Sequence, residues 1–424
     1  MRNTVGSIRT GRRLGFVLIL TAVHALLPAR LGAAEGQVIV RWVKQAMQVV
    51  RLQNAGTPEA SRIYAMVTVA MYDAVNRIDT ARSGGREHAV VPAGGAPING
   101  DRRVAAAAAA HGVLMLLAPA RSNVLDALFA ATSRRNGAAA RAGQAWGVYV
   151  GERVVELRSA DGTQMPLAMP AGSAPGSHRA TFDARWQYMA PFGIASGAAY
   201  RSPPPPRLES AEYARAFDEV KALGAPDDDP ERDEIASFWF AEAGTSRETG
   251  LWLQAAIAVA RQRRTVHSLA DTARLFALTG MAIADSVMVS WGVKADYFSW
   301  RPAVAIREAA TDGNPATVPH PAWTPRWGAT GASPEYNSGT STFGGAVSRV
   351  LELFYGDAAI GFCFETEEAT AGARYYASPL QAAQEAGWSR ILQGIHFRFS
   401  DEDGRRLGRA IGEEIAATRL RPIG

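Results

Sequence analysis

Apolar residues recur at intervals of three and four along most of this 424-residue chain, and this periodicity constrains the fold more than any other feature. Strand-like alternation of any length is missing. The predicted helices span residues 38–54, 58–78, 101–118, 138–157, 210–224, 230–241, 250–263, 268–293, 338–356, 378–394 and 401–420. We therefore expect an all-α fold with one core built from packed helices.

The segment at 161–207 interrupts the helical pattern, because it is rich in Gly, Pro and Ser and ends in PPPPR at 203–207. We expect a single all-α domain at 35–424. Its helical amino-terminal part would span 35–160, its Pro- and Gly-rich connection 161–207, and the part with the candidate site 208–424.

The first 34 residues have the order of features found in a secretory signal. Arginines precede an apolar run of about 14 residues at 14–27, and the small-residue stretch LGAA follows at 31–34. A spanning helix needs about 20 apolar residues, so a cleaved leader is the better interpretation. We expect an exported protein, periplasmic or secreted, with no membrane span after cleavage. Arg12 and Arg13 leave a twin-arginine route open.

Charge and cysteine content exclude some partners and cofactors. Five of the 45 basic residues and none of the 40 acidic residues lie in residues 1–34, so the rest of the chain is formally neutral. This balance argues against a nucleic-acid partner. Cys363 is the only cysteine, which excludes an internal disulfide and a cysteine metal cluster.

Three stretches in the last third of the chain concentrate groups that could bind an anion. The first is KADYFSWRP, in which Lys294 and Arg301 are seven residues apart. On a continuous helix the two side chains would point the same way, although Pro302 disfavours helical backbone just before it.

The second stretch, SPEYNSGTSTFGGA at 333–346, predicts that Ser338, Gly339 and Thr340 begin a helix. Unpaired backbone N–H groups and the positive end of the helix dipole favour an oxyanion there, and Gly339 allows close approach of the backbone. A helix that is merely capped by Ser338 fits the same residues.

The third stretch, WSRILQGIHFRF, contains Arg390 and His396 six residues apart, with a further helix expected to begin near Ser400. Taken alone, each of the three stretches also fits an ordinary structural role. Together they supply several cations, a helix N-terminus and one imidazole. These groups can hold a tetrahedral or bipyramidal oxyanion such as phosphate or vanadate.

The order K-x6-R-P, then S-G at a helix start, then S-R-x5-H resembles the signature of the vanadium-dependent haloperoxidases and the type 2 phosphatidic acid phosphatases. Further stretches are similar to the exported bacterial haloperoxidase branch, so the resemblance covers essentially the whole mature chain. They are TVAMYDAVNRID (68–79), SPPPPRLESAEYARAFDEVKALG (202–224), ARLFALTGMAIADSVMVSW (273–291), DGNPATV (312–318) and GIHFRFSDEDGRRLGRAIG (394–412). The resemblance implies a helical bundle of this type that binds vanadate, or phosphate in its place.

The resemblance also implies roles for the matching residues. His396 would be the axial ligand of vanadium, or the nucleophile of a phosphatase. Ser338 and the Gly339 N–H would donate hydrogen bonds to the oxyanion. Its equatorial oxygens would be neutralised by three cations: Lys294, Arg301 and Arg390. The implied partners are hydrogen peroxide, a halide and a small organic substrate, and pairing into a homodimer is an option.

The sequence departs from the family pattern after Ser-Gly, where an acid–base histidine is usual and Thr340 stands instead. A hydroxyl does not titrate near neutral pH, and general acid–base transfer is typically worth about 100- to 10,000-fold in rate. Asn337 replaces a usual proline. Ser400 stands where an acid often partners the ligand histidine, with Asp401 one place later. Either the imidazole of His396 has lost a partner, or Ser400 caps the last helix.

Four residues near these motifs are candidates to replace the missing histidine, although each could equally be an ordinary loop residue. They are Asp296, His320, Glu335 and Tyr336.

Three functions stay open. The leading hypothesis is a vanadate-binding haloperoxidase-like enzyme that oxidises bromide or iodide, rather than chloride, with hydrogen peroxide, its activity weakened or altered by Thr340. The second is a phosphatase or other non-oxidative enzyme that uses the same pocket. The third is a catalytically inactive homologue that binds anions.

Overall fold

The computed structural model describes residues 34–83, 85–92, 94–328, 330–367 and 372–423. Apart from residue 34, the predicted secretory signal lies outside the described residues and stays a prediction. The chain from residue 34 onward forms one compact unit.

Thirteen α-helices lie within the described residues and confirm the predicted all-α fold. They are α1 (Gln37–Gln53), α2 (Thr57–Ser83), α3 (Arg102–Leu117), α4 (Ser122–Thr132), α5 (Ala138–Leu157), α6 (Ala211–Leu223), α7 (Pro230–Phe238), α8 (Arg247–Gln262), α9 (Leu269–Tyr297), α10 (Pro302–Arg307), α11 (Gly339–Tyr355), α12 (Pro379–Leu392) and α13 (Arg398–Thr418). All eleven predicted helices are present. The sequence did not predict α4, which buries only Leu125 and Thr132, or α10, which has only six residues, because neither shows a clear apolar repeat.

Four short strands form two antiparallel pairs in the described part of the chain. Strand β1 (Ala168–Met169) pairs with β2 (Phe182–Asp183), and β3 (Phe362–Phe364) pairs with β4 (Arg374–Tyr376). Strands of two or three residues leave no alternation that a sequence could reveal. The first pair lies in the Pro- and Gly-rich connection at 161–207, which is fully described and contains no α-helix.

The two longest helices, α2 and α9, pack against each other at the centre of the fold. Each carries a buried aspartate that binds a neighbouring loop. Asp73 in α2 accepts the backbone N–H groups of residues 89–91 at 2.7–2.9 Å, and Asp285 in α9 accepts those of residues 192–194 at 2.7–2.8 Å. These carboxylates satisfy loop N–H groups that would otherwise be buried without partners.

Helix α9 begins within one residue of the predicted start. The Ser268 hydroxyl caps it by accepting the Asp271 N–H at 3.2 Å. Ser210 caps α6 in the same way. By length and composition α9 could span a membrane, but 89% of its most apolar window is buried inside the protein. The burial is that of a core helix.

Helices α11 and α13 cross at very short range because α13 presents a glycine at every fourth position. A Cβ added to Gly404, Gly408 or Gly412 would lie 2.6, 2.0 or 2.3 Å from a carbonyl oxygen of the α11 segment. The Ser338 N–H also donates to the Ser400 carbonyl at 3.1 Å. The start of α11 is therefore fixed against the start of α13.

Replacing Gly408 with alanine should destabilise the protein by about 1–3 kcal/mol, despite the better helix propensity of alanine, because the methyl group forces the two helices apart. Gly292→Ala, in α9, is a matched control, since its added Cβ would lie 3.8 Å from its nearest neighbour, the Cβ of Gln187. Urea unfolding should show a loss for the first variant and none for the second. Equal stabilities would contradict this account of the crossing.

Candidate oxyanion-binding active site

A cavity of about 670 Å³ lies at the amino-terminal ends of α8 and α11 and brings the three predicted stretches together. Six of the seven predicted site residues line it: Lys294, Arg301, Gly339, Thr340, Arg390 and His396. Ser338 is fully buried outside the lining. The three stretches therefore meet at one cavity, and only Ser338 of the seven predicted residues stays outside its lining.

Lys294 and Arg301 do not share a helix, so the geometry expected from their spacing is wrong. Helix α9 ends at Tyr297, and Phe298 takes a left-handed conformation with φ of 42°. Arg301 has extended backbone as the N-cap of α10, because the following proline disfavours helical backbone there. A turn between the two residues, rather than a common helix face, directs both side chains to the cavity.

The Arg301 guanidinium, in the first stretch, forms hydrogen bonds with both the second and the third stretch. Its Nε donates to the Ser333 carbonyl at 2.9 Å and its Nη2 to the Ser333 hydroxyl at 3.1 Å. Its Nη1 donates to the Ile395 carbonyl at 2.8 Å and lies 3.0 Å from Nε2 of His396.

The Lys294 ammonium holds the segment that leads into α11. It donates to the carbonyl oxygens of Pro334, Glu335 and Asn337 at 2.6, 3.2 and 2.7 Å. An ammonium has three donors, so all of them are engaged. In this geometry Lys294 positions backbone around the site, and its direct contact with an oxyanion stays a prediction.

Helix α11 begins as predicted, with Ser338 as its N-cap. The Ser338 Oγ accepts the Ser341 N–H at 3.4 Å and the Ser341 hydroxyl at 2.9 Å, so it is engaged inside the helix. Gly339 and Thr340 are the first residues of α11, and their N–H groups have no carbonyl partner within the helix. Both residues line the cavity, where these donors can meet an anion.

Thr340 presents a short hydroxyl to the cavity and is only 5% exposed overall. None of the described residues forms a hydrogen bond with that hydroxyl. It can donate or accept a hydrogen bond with a ligand, but it cannot exchange protons near neutral pH as an imidazole does.

Arg390 lies in the last turn of α12 and is incompletely paired. Its Nη1 donates to the Trp239 carbonyl at 3.2 Å, and its Nη2 lies 3.7 Å from Oε1 of Glu248. Its Nε is buried and has no hydrogen-bond partner among the described residues. This guanidinium therefore retains donor capacity for a ligand.

Glu335 fixes the imidazole of His396. Its Oε1 lies 2.9 Å from Nδ1 of His396 and accepts the Phe397 N–H at 2.9 Å. The guanidinium of Arg301 can only donate, so the facing Nε2 must accept and Nδ1 must carry the proton. His396 thus donates to Glu335 through Nδ1, and the lone pair of Nε2, which accepts from Arg301 here, is the one that a metal would use.

This arrangement corrects the expectation for Ser400. Helix α13 begins at Arg398 with Phe397 as its N-cap, so Ser400 lies within the first turn and does not cap the helix. Its hydroxyl donates to the Glu335 carbonyl at 3.4 Å. Asp401 pairs with Arg405 at 2.9 Å. The carboxylate partner of His396 therefore comes from the second stretch rather than the third.

None of the four candidates for replacing the missing histidine lines the cavity. Asp296 pairs with Arg201 near the surface at 3.0 Å. The Tyr336 hydroxyl donates to the Pro203 carbonyl at 2.9 Å, and the side chain of His320 is exposed. Glu335 contacts Nδ1 of the His396 imidazole and does not line the cavity.

Several cations are buried together, so the site carries an excess of positive charge. Burial lowers the pKa of Lys294 well below its usual range, lowers the pKa of Arg301 to about 10 and also lowers the pKa of Arg390. Burial, followed by the charges of Arg301, Lys294 and Arg390, lowers the pKa of His396. Burial raises the pKa of Glu335. Three buried cations thus face one fully buried carboxylate, and an anion in the cavity would offset the excess positive charge.

The side chains fit vanadate better than a metal cation. Among the described residues, no cluster of three or more His, Cys, Asp or Glu side chains is placed to hold a metal ion. The unpaired Nε of Arg390, the free N–H groups at the start of α11 and the Nε2 lone pair of His396 match an oxyanion with one nitrogen ligand. Phosphate fits the same hydrogen-bond donors but would not form the bond from Nε2 of His396 that vanadate would form.

His178 supports the loop beside Arg301, since its Nε2 donates to the Ala332 carbonyl at 3.1 Å. Burial lowers its pKa from about 6.5 to about 4. The unfolded chain therefore binds a proton at a higher pH than the folded protein, and stability should fall as the pH drops from 6.5 to 4. The loss is at most about 3 kcal/mol at 1.36 kcal/mol per decade.

His178→Gln keeps a donor for Ala332 and removes the titration. Urea unfolding at pH 7, 6 and 5 should show the wild type losing stability relative to this variant as the pH falls. Parallel pH profiles would contradict the assignment.

Comparison with known proteins finds similarity in the part of the chain that contains this site. Residues 274–423, which contain every predicted site residue, match the family model described as the VCPO second helical-bundle domain. A vanadium chloroperoxidase of Curvularia inaequalis is 35% identical over 99 residues. Residues 274–423 are thus similar to the second helical-bundle domain of that family. The alignment with the fungal protein covers 20% of this chain and 15% of that protein, so it shows a local similarity and carries no activity over to this chain.

Solved structures of bacterial vanadium haloperoxidases share the fold over most of the chain. The first bacterial vanadium-dependent iodoperoxidase superposes with a TM-score of 0.76 and 24% identity, covering 92% of this chain and 97% of that one. A holo-type bacterial vanadium-dependent chloroperoxidase superposes with a TM-score of 0.66 and 14% identity, covering 86% and 92%. The predicted helical bundle of this family type is thus confirmed.

Sequence reasoning missed two residues of this site. Glu335 was considered only as an acid–base group, although its place in the second stretch was a signal that it lies close to His396. Glu248 lies in no motif, and only the packing of α8 on α11 brings it to the cavity.

Proposed function

We propose that the protein is a vanadate-binding haloperoxidase that oxidises iodide or bromide with hydrogen peroxide. The observation that carries this proposal is the convergence of Arg301, Arg390 and a His396 of fixed tautomer on one cavity. Vanadate, when bound, supplies a Lewis acid that polarises peroxide for attack by the halide. The overall reaction turns peroxide, halide and one proton into hypohalous acid and water.

The side chains of this protein perform three tasks in that reaction. His396 offers Nε2 as a ligand, held by Glu335. Arg301 and Arg390 stabilise negative charge on oxygen, and burial strengthens their effect. Thr340 can orient a ligand oxygen but cannot move its proton. Iodide and bromide are more easily oxidised than chloride, so they tolerate a site with weaker proton transfer.

Calorimetric titration with orthovanadate, followed by assays of triiodide formation and phenol bromination with peroxide, tests the proposal. We expect binding together with iodide or bromide turnover that depends on vanadate. A protein that neither binds vanadate nor halogenates would contradict it. Hydrolysis of a chromogenic phosphate ester, inhibited by vanadate, would favour the phosphatase. Binding without either activity would favour the inactive homologue.

Thr340→His restores the usual acid–base group and tests what Thr340 does. If Thr340 only weakens the reaction, the variant should oxidise bromide about 10- to 1,000-fold faster, within the range of general acid–base catalysis. Thr340→Ser is the control, because it keeps a hydroxyl that cannot titrate. Loss of an existing activity in the histidine variant would show that Thr340 is adapted to a different reaction.

Export of the mature chain, the organic substrate and pairing into a dimer stay proposals from the sequence. Amino-terminal sequencing of the secreted protein would test the first of them.

A further inference from the structure

Helices α8 and α11 run parallel, and both begin at the cavity. Glu248 near the start of α8 and Thr340 at the start of α11 line it. At the opposite ends, Arg263 pairs with Asp357 at 3.1 Å, just beyond the two helices. Two amino termini therefore meet at the same pocket.

The packing between these helices places Glu248 level with Thr340. Gly344 of α11 lies against Trp252 of α8, where an added Cβ would be 2.7 Å from the indole ring. One helical turn earlier on each helix stand Thr340 and Glu248. Glu248 and Thr340 thus stand at the same level of two neighbouring helices, and both line the cavity.

The hydrogen bonding of Glu248 leaves one oxygen available. The Thr57 hydroxyl donates to Oε2 at 3.1 Å, whereas Oε1 lies 3.7 Å from Nη2 of Arg390, beyond normal hydrogen-bond length. An oxygen atom of a ligand bound by Arg390 could therefore lie within hydrogen-bond distance of Oε1. The side chain of Glu248 is 18% exposed, so water can exchange protons with it.

The other acids of the cavity are less well placed. Asp183 pairs with Arg185 at 2.9 Å in the loop after β2. Glu242 is exposed and acts on Arg301 and Arg390 through its charge, with no hydrogen bond between its carboxylate and a described residue. Among the described carboxylates that line the cavity, Glu248 alone forms an ion pair with a predicted oxyanion-binding residue.

We propose that Glu248 is the proton-transfer residue of this cavity and performs the task that Thr340 cannot. This inference rests on the proposed haloperoxidase function and deepens it. In the reaction, Oε1 takes a proton from an O–H of hydrogen peroxide, leaving hydroperoxide beside Arg390 and Arg301. When the halide takes up the distal oxygen, the O–O bond breaks and two electrons pass from halide to peroxide. Glu248 returns its proton to the remaining oxygen, and a solvent proton completes the water.

The experiment compares Glu248→Gln with Glu242→Gln in the full chain. Both variants replace a cavity carboxylate by an amide of the same shape, and only the first removes the proposed proton acceptor. Vanadate affinity is measured by calorimetry, and kcat for iodide oxidation is measured at saturating vanadate. Glu248→Asp is the second variant, because it keeps a carboxylate on a shorter side chain.

We expect Glu248→Gln to lower kcat by at least about 100-fold, with vanadate affinity unchanged or tighter. Glu242→Gln should lower kcat less than about 3-fold. Glu248→Asp should have a kcat at least about 10-fold higher than that of Glu248→Gln. A kcat that falls less than about 10-fold in Glu248→Gln overturns the inference, whether or not vanadate affinity falls. Weaker affinity with near-normal kcat would show that Glu248 only orients Arg390. Failure of the wild type to bind vanadate would overturn the proposed function, and this inference with it.

Discussion

Replacing His396 with alanine is expected to abolish measurable vanadate binding and to lower vanadate-dependent iodide oxidation by more than about 1,000-fold, or roughly 4 kcal/mol. The Nε2 of His396 is the only nitrogen lone pair on the side chains that line the cavity, within the part of the chain that is described. Loss of a residue that merely supports a metal ligand typically costs about 10- to 100-fold, so loss of the ligand itself should cost more.

His320→Ala is the matched control for His396→Ala. His320 is an exposed histidine outside the cavity, and it was one of the sequence candidates for the acid–base role. Its replacement should leave vanadate affinity and turnover within about 3-fold of the wild type. A His396→Ala protein that still binds vanadate nearly as tightly would show that the cations alone hold the anion, as in an anion-binding homologue.

Much of the fold could be predicted because long helices repeat their apolar positions many times. Helix α9 buries nearly all of its circumference over 29 residues, and its apolar run still predicted a helix at 268–293, four residues short of its end at Tyr297. The six residues of α10 offered no such repetition. The close crossing of α11 and α13 depends on Gly404, Gly408 and Gly412, whose meaning appears only when the opposing carbonyl groups are known.

The components of the site could be predicted, but their contacts could not. The resemblance of three stretches to a family signature predicted that Arg301, Arg390 and His396 share one pocket, and all three line the cavity. It did not show that the three donors of Lys294 go to backbone carbonyls, or that the Ser338 hydroxyl is engaged by Ser341. These outcomes depend on how separate segments fold against each other, which a local motif does not encode.

Glu335→Ala is the second change with a large expected effect, and it acts on both stability and binding. The variant removes the acceptor for Nδ1 of His396 and for the Phe397 N–H. It also removes the fully buried carboxylate that offsets the charges of Lys294 and Arg301. Removing one partner of a buried charge group typically costs about 3–5 kcal/mol, so we expect a loss of that size in urea unfolding without vanadate.

Vanadate affinity should fall by about 10- to 100-fold in Glu335→Ala, because the imidazole loses the bond that fixes its orientation and tautomer. Glu335→Gln separates geometry from charge, since its amide oxygen can still accept both N–H groups. It should keep most of the vanadate affinity and lose less stability than the alanine variant. Glu209→Ala, at a surface side chain that is 58% exposed, is the control for removing a carboxylate.

The order of the two Glu335 variants decides which property of this residue matters. If the alanine variant is weaker than the glutamine variant in both measurements, Glu335 acts chiefly by holding the imidazole of His396. If both variants lose stability equally but bind vanadate as the wild type does, its charge serves the fold alone. Vanadate should then stabilise each variant as much as the wild type, because the ligand replaces the missing negative charge among the same cations.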